Sequence, residues 1–149
     1  MKSKRVSSNK YGTIYKLETP LIFAINNTKT IFGIENAGKY GEYIKWNIDD
    51  IDTVVCEFEM YLKEIRNSLP IKSSILRRDN YPLMIQTKIP NNKNLDIIRN
   101  ELGDITTIHQ FIDKNKIYNI LLEINGYFVS NKEIKYTVYL KKIELRSKN

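Results

Sequence analysis

Apolar and polar residues alternate along most of this chain, and one segment breaks that alternation at helical spacing. Tyr11 to Glu18 puts Thr13, Tyr15 and Leu17 on one side and predicts a first strand. Thr19-Pro20 ends it, and Leu21 to Asn26 is apolar enough for a second, buried strand. Asn26-Asn27 marks a turn before a strand at Thr28 to Glu35, and Asn36-Ala37-Gly38 marks another before Tyr40 to Ile48. From Asp50 to Asn67 the period changes. Ile51, Val54, Val55, Phe58, Leu62 and Ile65 fall on one helical face, with Phe58, Leu62 and Ile65 expected against the core. Asp49 or Asp50 is the expected N-cap, and Leu69-Pro70 ends the helix.

The second half returns to strands. Residues 71–80 read as a polar, basic loop, and Tyr81 to Ile89 as a strand. Leu95 to Leu102 is ambiguous, with helical spacing at Leu95, Ile98 and Leu102, and Ile105 to Ile112 reads as a short helix or an irregular piece. Ile117 to Val129 and Lys135 to Leu145 are the longest strands, joined through Ser130-Asn131-Lys132-Glu133 as a hairpin. The sum is about seven strands and one strong helix: a β-rich α+β domain. A small closed antiparallel barrel of the oligonucleotide-binding (OB) kind suits that order better than a parallel sheet. Residues 1–9 are expected to form a flexible basic arm, and residues 10–149 a single OB-fold-like domain.

Composition narrows the function classes. A hydrophobic fraction of 42% and a charged fraction of 28% describe a globular domain rather than a disordered chain. No apolar run reaches the length of a membrane helix, and no membrane role is expected. The net charge of +7 favours a polyanionic partner. Lysine, asparagine and isoleucine are abundant and arginine is scarce, so AT-rich coding explains part of that charge. Scarce arginine also points to backbone contacts rather than bidentate base reading.

Catalytic chemistry has little to build on. Cys56 is the only thiol and His109 the only histidine. Cys56 sits in the helix off its apolar stripe and reads as inert, and His109 has no evident partner. Asp49, Asp50 and Asp52 are explained by the helix start without a metal. There is no phosphate-cradling G-x-x-x-x-G-K-[ST] sequence. No enzyme activity, cofactor or metal is expected.

Binding chemistry is richer. Lys39-Tyr40-Gly41-Glu42-Tyr43-Ile44-Lys45-Trp46 interleaves rings with cations. Rings that stack on bases and lysines that track phosphates make a single-stranded nucleic-acid platform. The ring candidates are Tyr40, Tyr43 and Trp46, with Tyr127, Tyr136 and Tyr139 from the final hairpin. The phosphate candidates are Lys39, Lys45, Lys135 and Lys141. In an extended strand Tyr43 and Lys45 point opposite to Trp46. Tyr43 and Lys45 are therefore expected exposed and Trp46 buried, because lysine is rarely buried.

The chain also resembles a family. Thr19-Pro20, Ile31-Phe32-Gly33, the Lys39-Tyr40-Gly41 to Trp46 strand leading into a helix, and Leu121 to Val129 followed by a turn and Tyr136 to Leu145 are similar to the single-stranded DNA-binding OB-fold proteins of large DNA viruses and phages. The resemblance implies a non-catalytic single-stranded DNA-binding protein of genome replication, recombination or repair, acting inside the infected cell. It implies largely sequence-independent binding. RNA is equally compatible with the pattern, an exposed edge strand would permit a homo-oligomer, and no replication protein is singled out as a partner. Family members often carry an acidic tail, whereas this sequence ends Leu145-Arg146-Ser147-Lys148-Asn149. The alternative is a viral structural or complex-forming subunit whose basic surface reflects codon bias.

Overall fold

The computed structural model describes residues 1–66, 68–90, 96–98 and 108–146. Ten strands form one mixed sheet. They are β1 (Ser3–Asn9), β2 (Gly12–Thr28), β3 (Thr30–Asn36), β4 (Glu42–Asn47), β5 (Ile71–Lys72), β6 (Ile75–Leu76), β7 (Met84–Lys88), β8 (Asp96–Ile98), β9 (Tyr118–Val129) and β10 (Ile134–Leu145). Helix α1 spans Thr53–Ile65, and α2 is one turn, Ile108–Phe111. The ladder runs β1-β2-β9-β10-β7-β4-β3, with β5 and β8 also on β10 and β6 on β7. Among the described residues β1 and β3 end the ladder without pairing to each other, so the sheet is open rather than a closed barrel.

Strand alternation sets the two faces. Along β9, Tyr118, Ile120, Leu122 and Ile124 are buried, and along β10 so are Ile134, Tyr136, Val138 and Leu140. These inward residues meet Val55, Phe58 and Leu62 of α1 in one core. Burying a side chain such as Phe58 stabilises the fold by about 1.5–3 kcal/mol. Ile65, expected with them, is only half-buried. The helix is capped by Asp52, whose side chain accepts from the Val54 amide at 2.9 Å, not by Asp49 or Asp50. Asp52 is the residue that keeps an extended backbone next to the first helical turn, at ψ 141°.

Three other expectations change. Residues 1–9 are not a loose arm: Ser3–Asn9 pairs antiparallel with β2, and the Ser3 hydroxyl shares hydrogen bonds with Tyr61 at 2.7 Å and Tyr127 at 2.6 Å. Thr19-Pro20 does not divide two strands. One strand of 17 residues runs through it, and its register to β9 jumps between Lys16 and Leu21. A proline fits there because a bulge releases its position from the ladder. The 71–80 loop holds two short strands, β5 and β6. The turn that Pro90-Asn91-Asn92-Lys93-Asn94 predicts and the ambiguous Leu95 to Leu102 segment lie largely outside the described residues; Asp96–Ile98 pairs parallel with β10.

Candidate nucleic-acid interface

The inner face claims three of the six ring candidates. Trp46 has no exposed surface, packs edge-on against Tyr118 at 5.7 Å, and donates its indole N–H to Thr87 Oγ1 at 3.0 Å. Tyr127 is 5% exposed and stacks on Tyr15 at 5.0 Å. Tyr136 is 8% exposed and donates to the Glu59 carboxylate. Burial pushes the Tyr127 phenol up to about 12, against the opposing pull of the Ser3 hydrogen bond. Burial, then the bond to Glu59, raises Tyr136 still further. Both rings serve the core.

Lys45 is the clearest correction. It lies on the outer face as alternation requires, yet is only 9% exposed. Its Nζ sits 2.7 Å from Glu35 and 5.4 Å from the Phe32 ring centre. A lysine is buried where an acid and a ring satisfy it, and edge strand β3 supplies both. Lys39 and Tyr40 are exposed but are not in the strand. They form a 3-10 turn, Gly38–Tyr40, with Lys39 Nζ 5.2 Å from the Tyr40 ring centre. The turn forms because Gly38 (φ 62°) and Gly41 (φ 95°) adopt backbone angles that exclude extended pairing, and Asn36 Oδ1 accepts from the Gly38 amide.

The remaining candidates share the outer face. Residues directly opposed across adjacent strands point to one side of a sheet. Tyr43 on β4 opposes Lys88 on β7, Lys88 opposes Tyr139 on β10, and Tyr139 opposes Glu123 on β9. A cation thus stands between two rings. Burial, then the neighbouring Tyr139, raises the Tyr43 phenol above its ordinary value. Lys88 Nζ is 6.0 Å from the Tyr43 ring centre. A side chain at Gly41 would place its Cβ 3.1 Å from Lys88 Cε, so that glycine leaves room for the lysine.

A second row crosses the same face. Ser7, Ile14, Phe128, Lys135 and Lys72 follow one another from β1 through β2, β9 and β10 to β5. At about 4.8 Å per strand the row spans roughly 20 Å. A cavity of 760 Å³ opens beside it, lined by Phe128, Tyr139, Lys16, Lys135, Asn125 and Thr137 among others.

Charge on this face is partly spent. Lys141 pairs with Glu123 at 2.7 Å, and Lys135 lies 3.6 Å from Glu133. Lys16, Lys72 and Lys88 have no ion-pair partner among the described residues. Phe128, Lys16 and Lys72 are the additions that sequence reasoning did not name as site residues. Pairing register brings them together, and register is not visible in a single strand's pattern.

His109 and Cys56 stand apart from this surface. His109 Nε2 meets Glu42 at 2.7 Å and ties α2 to β4, while Cys56 is exposed on α1. Among the described residues no helix is long and apolar enough to cross a membrane. Fold and surface together define a β-rich α+β domain with one face packed on a helix and the other lined by rings and lysines. No protein-family model matches the chain, and no curated protein matches it.

Proposed function

We propose that this protein binds single-stranded nucleic acid, DNA in the first instance, across the outer face of its sheet. The observation that carries the reading is the cross-strand row Tyr43, Lys88 and Tyr139, continued by Phe128 with Lys16, Lys72 and Lys135. Rings offer stacking to any base, and the cations hold the backbone between them. OB-folds hold strands on a ring-lined sheet face, and a partly open OB-type arrangement is the finer fold we infer. The resemblance stated above supports a role in viral genome replication, recombination or repair. The role needs no catalytic group.

The test is fluorescence anisotropy with labelled poly-dT and a duplex of equal length. Poly-dT should bind more tightly. With about four phosphate contacts, log K should fall against log salt with a slope near −3. Duplex binding as strong or stronger would refute an ssDNA-binding face.

A second reading is a complex-forming structural subunit. The acid partners of Lys45 and Lys141 favour it, because each sits 2.7 Å from its lysine and neutralises an expected phosphate contact. It predicts no measurable affinity for poly-dT at moderate salt.

A further inference from the structure

The outer face does not stop at Tyr43. Two residues further along β4, Lys45 opposes Gln86 of β7, so both point to the side of Tyr43 and Lys88. Phe32 of β3 joins them, its ring centre 5.4 Å from Lys45 Nζ. A row of Phe32, Lys45 and Gln86 therefore lies about 7 Å beside the row of Tyr43, Lys88 and Tyr139. Beyond it stands the tip of a hairpin. Strands β6 and β7 pair Ile75 with Ile85 and Leu76 with Met84, and residues 77–83 join them. From that tip Tyr81 meets Phe32 with ring centres 5.4 Å apart and planes tilted by 51°, and it stays 45% exposed.

The tip is ordered by its own backbone. The Tyr81 amide donates to the Arg78 carbonyl at 3.3 Å, and Asn80 takes a left-handed φ of 68°. Asparagine adopts that region more readily than most residues. The same tip carries Arg77 and Arg78, both exposed, against one acid, Asp79. Neither arginine has an ion-pair partner among the described residues. Arginine is scarce in this chain, yet two stand together here. A guanidinium holds phosphate through two parallel hydrogen bonds and also stacks on rings. Lys45 gains a use in this setting. Glu35 neutralises it, and its ammonium holds the Phe32 ring, which backs Tyr81. A ring fixed from behind loses less freedom when a ligand stacks on it.

Resting on the single-strand reading above, we propose that the bound strand runs on past Tyr43 to the β6–β7 tip, where a further base stacks on Tyr81 and Arg77 and Arg78 hold the phosphates. The site then has two parts. The Tyr43–Lys88–Tyr139 row grips a short strand, and the tip engages only a strand long enough to cross β4 and β3. Lys45 and Phe32 are positioning residues between them.

Competition anisotropy decides it, using dT oligomers of about 4 to 16 nucleotides, the range that one such fold covers. In the parent, affinity should rise with length and then level off. Tyr81→Ala should level off at a shorter length and bind the longest oligomer about tenfold more weakly, the share of one stacked base. Arg77→Ala/Arg78→Ala should lower the salt slope of the longest oligomer by roughly 1.4, the share of two phosphates on a single strand. The shortest oligomer should bind both variants as it binds the parent. All three side chains are exposed, so melting should stay close to the parent. Variants that bind every length like the parent, or that lose affinity equally at every length, would overturn the extension while leaving the single-strand reading intact. Failure of every oligomer to bind the parent would overturn both.

Discussion

The two faces of this sheet use the same residue types to opposite ends. Inside, Trp46, Tyr118, Tyr127 and Tyr136 find partners within the protein: Thr87 for the indole, the Phe111 carbonyl for Tyr118, Ser3 and Glu59 for the other two. Outside, Tyr43, Phe128 and Tyr139 are half-buried, with a lysine beside each in register. An aromatic residue with its polar atom satisfied internally is structural. One that keeps a face open beside a cation is available to a ligand. The pleat decides between the two, and a one-residue change of register would exchange them.

The sharpest way to break that contrast is at Trp46. Trp46→Ala should destabilise the fold by about 3–5 kcal/mol, as large core truncations do. Denaturant titration would read the loss, and the fraction that stays folded should bind poly-dT like the parent. A smaller effect is expected at Tyr136. Tyr136→Phe leaves the Glu59 carboxylate without that donor, so stability should fall by about 1–3 kcal/mol in the same titration.

Alkali should act on the inner face first. Tyr127 holds its proton up to about 12 in the folded protein. In the unfolded chain a tyrosine ionises near 10. Between those values the unfolded state binds fewer protons, so this contribution is complete below about pH 10 and is lost as pH rises toward 12. Denaturant midpoints should fall across that window, and less steeply in Tyr127→Phe. The smallest effect distinguishes two lysines. Lys88→Ala should lower the salt slope by roughly 0.7, the share of one phosphate on a single strand. Lys45→Ala should leave the slope unchanged, because Glu35 already neutralises that charge.

Much of this was legible in the sequence, and the misses share a cause. The period of 3.6 from Ile51 to Ile65 and the period of two in β9 and β10 are local signals, and both elements formed where those signals lie. The opposite orientation of Tyr43 and Trp46 followed from the pleat alone. Lys45 was misjudged because its burial depends on Glu35 and Phe32 of a neighbouring strand. Ser3–Asn9 is the exception: it pairs with the adjacent Gly12–Leu17, and it reads as a polar tail because all its residues after Ser3 are exposed. Phe128 and Lys88 join the site only through register across β9, β10 and β7. Pattern within a segment reports its own faces. It does not report which distant segment lies beside it.

The claim that the outer face is the binding face is tested most directly by removing its rings together. Phe128→Ala/Tyr139→Ala, with melting close to the parent, should lose about a hundredfold in poly-dT affinity by anisotropy, since each stacked base is worth about 1–3 kcal/mol. A folded double variant that binds poly-dT as the parent does would contradict the account.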